Sequence, residues 1–193
     1  MQTKETETVC PPNLEAWRQW LHDNHSTKQS VWLVYYKKNS PQANYSLIDA
    51  VDEALCFGWI DSKSKSLDEE RIMQFFSRRK PNGTWSKINK EKIKQLIETN
   101  RMAAAGLEAI EKAKLNGSWT LLDEVEELII PKDLEKVFQS MPGSKAFFTS
   151  LSKSVKKSML QWLVLAKTEK TREKRINEIA SSAHQKVKPG AFR

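Results

Sequence analysis

One run of residues limits the fold more than any other. VWLVYYKK, residues 31–38, places β-branched and aromatic side chains at consecutive positions and fits a pleated strand with one well-buried side. From Pro131 onward, apolar residues recur only at helical spacing: Leu134, Val137, Phe138 and Met141, then Val155, Met159, Trp162, Leu163 and Ala166, then Ile176, Ile179, Ala180 and Ala183. The pattern predicts an α+β fold, a small antiparallel sheet of about three strands packed with helices, followed by an all-helical C-terminal module.

The remaining elements follow from local signals. Asn13 caps a helix carrying Leu14, Trp17, Trp20 and Leu21 to about His22. Ser46 and Asp49 form a capping-box pair ahead of a buried helix ending near Gly58. KSKSL and RIMQFF flank Asp68-Glu69-Glu70 as two strands of a hairpin, and Ser86 caps a helix with Ile93, Leu96 and Ile97 inward. Another helix uses Ala103, Leu107, Ile110 and Ala113 and stops at Asn116-Gly117, after which DEVEELIIP reads as an acidic connector. The expected organisation is a flexible tail over 1–10, an α+β domain over 11–130, a helical module over 131–187 and a fraying tail over 188–193.

Composition removes several chemistries. Six glycines are too scattered to build a dinucleotide fingerprint or a phosphate-binding loop. His22 and His25 sit three apart and His184 stands alone, so no metal site and no catalytic residue is assigned, and no cofactor is expected. Cys10 and Cys56 cannot make a disulfide framework; Cys56 reads as a small buried hydrophobe. The start MQTKETETVC lacks an apolar stretch, and no apolar run approaches the roughly 20 residues a bilayer demands. No membrane insertion is expected, and a reducing cytoplasm is the simplest setting.

The formal charge of +8 is unevenly placed. Residues 1–61 carry −3, 62–101 carry +6, 102–143 carry −4 and 144–193 carry +9. The last block suggests an alternative function, nucleic-acid binding through Lys153, Lys156, Lys157, Lys167, Arg172, Lys174 and Arg175, against the plainer reading of solvated helix faces.

The densest group of unusual residues runs from Cys56 to Asn89. CFGWIDS puts an indole and a carboxylate at a helix end, and RRKPNGTWSKIN puts two arginines, a lysine, a tryptophan and a helix start within twelve residues. A helix N-terminus and a guanidinium fork both favour anions. The site predicted for a protein partner or a small anionic ligand is therefore Trp59, Asp61, Arg79, Lys80, Trp85, Ser86 and Asn89. The plain alternative makes both indoles core. An enzyme using Asp61 as acid/base and Arg79 as oxyanion clamp is a third reading, without a second catalytic group.

At EALCFGWIDS, FFSRRKPNGTWSKIN, NRMAAAGLEAIEKAKLNGSW and WLVLAKTEKTREKRINEI, the chain resembles the YdeI or OmpD-associated (OmdA, bacteriocin-protection) family, over about Leu14 to Ala183. Ser62 stands where that pattern leads us to expect glycine, and Arg78 where we expect proline. The resemblance implies a first part of the small α+β YjbR/CyaY type and an association with protection against bacteriocins or cationic antimicrobial peptides, with no reaction attached. The leading expectation is thus a basic, cytoplasmic, non-enzymatic protein of stress or resistance.

Overall fold

A computed structural model describes residues 6–192. Residues 1–5 and Arg193, parts of the two expected tails, lie outside the described residues. The architecture is α+β, with a four-stranded sheet and a helical C-terminal region, and it divides into two compact units, one ending at Trp119 and one beginning at Thr120.

The first unit runs β1 (Thr8–Val9), α1 (Leu14–Asn24), β2 (Ser30–Tyr36), α2 (Leu47–Cys56), β3 (Trp59–Ser66), β4 (Arg71–Arg78), α3 (Lys87–Glu98) and α4 (Ala104–Leu115). The sheet order is β1-β2-β4-β3, with β1 parallel to β2 and the other pairs antiparallel. The strand β1 corrects the expected tail and raises the strand number to four. It is two residues long and held by its pairing with Trp32 and Leu33, a long-range contact with no local signature. The hairpin turn is fixed by Asp68, whose Oδ1 accepts from the backbone N–H groups of Glu70 (3.0 Å) and Arg71 (2.7 Å).

Register puts Val31 opposite Phe76 and Arg78 opposite Trp59, so these positions share the face that the helices cover. Trp17, Trp59 and Phe76 are fully buried there, with Trp20 stacked on Trp17 at 5.3 Å and edge-on to Trp59 at 5.8 Å. The Trp17 indole N–H donates to the Ala50 carbonyl at 3.0 Å, which locks α1 on α2 without leaving a buried donor unmet. Glu53 of α2 is buried among apolar residues, where Arg18 and Arg101 both donate to its carboxylate.

The end of α2 is the tightest place in the unit. The Cys56 carbonyl accepts from the Ala103 N–H at 3.1 Å, and a Cβ on Gly106 would fall 2.2 Å from that same oxygen. The helix α4 therefore enters the fold at a position only glycine permits.

The second unit contains α5 (Asp123–Glu126), α6 (Lys132–Gln139), α7 (Ser144–Ser150), α8 (Lys153–Val164), α9 (Glu169–His184) and a 3₁₀ turn, Gly190–Phe192. Its core is built from Leu134, Phe138, Phe148, Met159, Leu163, Ile176 and Ile179. Leu122 and Val125 belong to that core as well, which is why the units part at Trp119–Thr120, ahead of the 130/131 boundary expected. The expected fraying at 188–192 is replaced by the terminal turn, whose Phe192 ring packs edge-on to Trp162 at 5.4 Å.

Replacing Gly106 by alanine should cost about 3 kcal/mol in overpacking, because the clash is with backbone, against a gain of about 1 kcal/mol in helix propensity. Urea unfolding of G106A should show a net loss of about 2 kcal/mol; equal or greater stability than wild type would mean α4 does not pack as described.

Candidate functional site

Arg79 stands at the centre of the most distinctive polar arrangement in the first unit. Its backbone N–H donates to the Gly58 carbonyl at 2.9 Å, and that of Arg78 to the Gln29 carbonyl at 3.0 Å, so the α2–β3 corner and the end of β4 run side by side. Gly58 has φ +73°, a left-handed conformation that glycine adopts without a Cβ penalty. The chain then turns through Pro81 to Thr84, with the Gly83 N–H donating to the Lys80 carbonyl at 2.9 Å. Asn116 and Ser118 hold this loop from outside, both donating to the Pro81 carbonyl, at 2.9 and 3.3 Å.

Within this loop the Arg79 guanidinium lies flat on the Trp85 indole, 3.5 Å from the ring centre, and Nη1 donates to the Thr84 carbonyl at 3.1 Å. Trp85 is itself buried and packs against Trp119 at 5.0 Å. Nε and Nη2 of Arg79 are buried and have no hydrogen-bond partner. An unmet buried donor is uncommon and costly, more so on a charged group. Burial accordingly pushes the guanidinium down to about 10, well below its ordinary range, with the negative charge of Asp61 acting in the opposite direction.

A cleft of about 510 Å³ opens beside this guanidinium. Phe57, Gly58 and Trp85 form part of its wall, Ala105 and Ala109 of α4 another, and Arg78, Arg79, Lys80, Lys112, His25 and Glu108 supply its polar groups. His25 Nδ1 lies 2.9 Å from the His22 carbonyl and 3.1 Å from that of Leu21. A carbonyl only accepts, so Nδ1 carries the proton and donates, leaving Nε2 as the ring's second polar atom. Glu108 and Lys112 pair loosely at 3.6 Å on the exposed rim. Four fixed cations against one carboxylate favour an anion.

Of the seven residues predicted from sequence, three line this cleft: Arg79, Lys80 and Trp85. Trp59 does not; it is fully buried in the core, with its N–H directed at the His25 carbonyl at 3.4 Å. Asp61 sits on β3 opposite Phe76 and accepts from Gln74 Nε2 at 3.1 Å, outside the cleft lining. Asp61 and Arg79 therefore do not both line the cleft. Ser86 caps α3 by accepting from the Asn89 N–H at 3.3 Å, which gives both residues a local task. His25, Lys112 and the small residues Ala105 and Ala109 join the site without having been predicted for it. Their only sequence signal is the AAAG run at 103–106, which allows a helix to approach backbone closely.

The residues proposed for nucleic acid divide in two. Arg172 binds Asp133 through two hydrogen bonds (2.6 and 3.0 Å), Lys157 pairs with Glu126 at 2.6 Å, Lys156 donates to the Thr149 carbonyl at 3.1 Å and Arg175 to that of Trp162 at 2.5 Å. Lys153, Lys167 and Lys174 are exposed. A continuous stripe of uncommitted cations, which phosphate tracking requires, is not what α8 and α9 present. Among the described residues no cluster of three or more His, Cys, Asp or Glu is placed to hold a metal, and no helix is long and apolar enough to cross a membrane.

Residues 9–109 match a family model described as Domain of unknown function (DUF8412), and residues 127–186 match one described as Bacteriocin-protection, YdeI or OmpD-Associated. The first match stands where the resemblance implies a YjbR/CyaY-type part. No curated protein and no solved structure matches the chain.

Because the unfolded chain binds the Arg79 proton more tightly than the folded one, the charged side chain opposes folding at every pH below about 10, and the penalty fades as pH rises from there toward the ordinary guanidinium range. Replacement by methionine keeps an apolar stem against the Trp85 ring while removing a cation whose desolvation costs several kcal/mol. The hydrogen bond and cation–π interaction that the guanidinium makes are together worth roughly 3 kcal/mol. The variant should be about 1 kcal/mol more stable than wild type at neutral pH, measured by urea unfolding; a loss of stability would assign Arg79 a purely structural role.

Proposed function

The chain belongs to the family described as Domain of unknown function (DUF8412), and on that footing we propose that its first unit is a binding module for a small anionic ligand carrying a phosphate or carboxylate group. The observation that carries this reading is the Arg79 guanidinium, stacked on Trp85 beside the cleft with two buried donors unmet. A fork of planar donors suits a carboxylate or phosphate bidentately, and an anion meeting them would offset the burial cost that the free protein bears. The cleft volume of about 510 Å³ falls in the usual range for small-ligand sites, roughly 300–1,000 Å³.

Binding, rather than turnover, is the function the geometry supports. The carboxylate considered as acid/base, Asp61, is engaged by Gln74 away from the cleft, and the carboxylate that does line it, Glu108, sits beside Lys112 on the rim. The bacteriocin-protection description of the second matched family supports a place in stress or resistance. At a net charge of +8, direct capture of a cationic peptide is opposed by like-charge repulsion, so the module would act through its anion. Two free thiols, Cys10 exposed and Cys56 buried, fit a reducing cytoplasm.

Thermal unfolding with inorganic phosphate or citrate tests the reading. A ligand held at about a hundred times its Kd stabilises by about 2.7 kcal/mol. Wild type should show such a rise, Arg79→Met none, and Arg79→Lys a smaller one, because it keeps the charge and loses the fork. Equal stabilisation of wild type and Arg79→Met by either anion would overturn the proposal.

A further inference from the structure

The second unit carries a cavity of its own. Between α8 and α9 lies a hollow of about 450 Å³ lined by Trp162, Lys170, Thr171, Lys174, Arg175 and Glu178. Sequence spacing explains the set: on α9 the positions 170, 174 and 178 recur every fourth residue, and 171 and 175 lie beside them on the same face.

The polar groups are graded from one end of the cavity to the other. Lys170 and Lys174 lie on successive turns near the start of α9, where the helix dipole also favours negative charge. Among the described residues neither lysine's ammonium makes a hydrogen bond or ion pair. Thr171 Oγ accepts from the Thr168 hydroxyl at 2.9 Å, so its own proton is left to donate. Arg175 is held in place, with Nη1 on the Trp162 carbonyl at 2.5 Å and Cζ 4.8 Å from the centre of the indole. The indole is braced from the side by Phe192 at 5.4 Å. At the far end Glu178 offers an acceptor and a negative charge.

An anion alone would use the first part of this arrangement and be repelled by the last. A flat apolar body bearing a phosphate at one end and a hydrogen-bond donor at the other uses all of it. We infer that the second unit binds a nucleoside monophosphate or a similar aromatic phosphomonoester. The phosphate lies between Lys170, Lys174 and the Thr171 hydroxyl, the ring system rests against Trp162 and Arg175, and an amino group meets Glu178. This site shares no residue with the Arg79 cleft, and its ligand class is narrower.

The test uses the full chain carrying Arg79→Met, so that the cleft of the first unit is silent, with AMP, adenosine and inorganic phosphate as probes. The readout is the Trp162 indole N–H resonance, identified by its disappearance in Trp162→Phe. AMP should shift it saturably and bind at least about tenfold more tightly than adenosine or phosphate. The double variant Lys170→Gln, Lys174→Gln, both at exposed positions, should weaken AMP by at least about tenfold, since one charge-assisted hydrogen bond already accounts for that. The inference is overturned if AMP leaves the resonance in place up to millimolar concentration. It is overturned equally if inorganic phosphate binds as tightly as AMP, or if the double variant binds AMP with unchanged affinity.

Discussion

The approach of α4 to the carboxyl end of α2 is the contact on which the first unit depends. The Cys56 carbonyl, freed at a helix end, finds its donor in the Ala103 N–H, and Gly106 leaves the space that this oxygen occupies. Gly58, two residues on, is tight to a lesser degree: a Cβ there would lie 3.1 Å from the Ala109 Cβ and 3.2 Å from the Ala105 carbonyl oxygen. Glycine at both places lets two backbones meet where side chains would hold them apart. The cleft is a by-product of that meeting. One wall is the outer surface of α4, the other is the Phe57–Gly58 corner, and Arg79 is fixed between them because its N–H completes the Gly58 carbonyl.

A cation placed in such a corner is a poor choice for stability alone. Glu53 shows how the same unit treats a buried charge that serves only the fold: two guanidinium groups, both partly exposed to water, meet its carboxylate from different elements. Arg79 receives one carbonyl and the face of an indole, and no carboxylate. Asp61 is near enough to bias its charge and too far to bond it. Two buried charges under one set of physical rules, one satisfied and one not, point to different tasks, since strain against folding is retained where binding relieves it.

Elements with local signals are legible in the sequence. The Ser46–Asp49 capping box is present with both of its hydrogen bonds, Ser86 caps α3, and α6, α8 and α9 fall where the periodicity places them, whereas α7 (Ser144–Ser150) is not among the expected elements. The misreadings share one cause, the absence of any local trace of a tertiary contact. Thr8 and Val9 look like tail because their strand character comes entirely from β2. Trp59 and Trp85 look alike in sequence, yet register turns the first into the helix-covered face while the loop sets the second beneath a guanidinium. His25, at the C-cap of α1, and Lys112, on α4, reach the cleft from elements far apart in the chain. Arg172 looks free for phosphate because its partner, Asp133, lies 39 residues away.

Net charge by segment is for the same reason a weak guide to function. The +9 of residues 144–193 suggests a continuous basic surface, but Lys157 and Arg172 are neutralised by Glu126 and Asp133 of the acidic segment before it. The alternation of basic and acidic blocks is spent on pairing elements within each unit, Lys92 with Asp52 and Arg101 with Glu53 in the first, Lys157 with Glu126 and Arg172 with Asp133 in the second. Of the described lysines left without a partner in the second unit, Lys170 and Lys174 line a cavity beside an indole. At physiological ionic strength a field from scattered surface lysines is screened within about 8 Å, whereas donors converging on a partly desolvated ring act at contact distance. The recognition proposed for this chain therefore rests on where a few cations are held against aromatic faces, Arg79 on Trp85 and Arg175 on Trp162, and not on how many it carries.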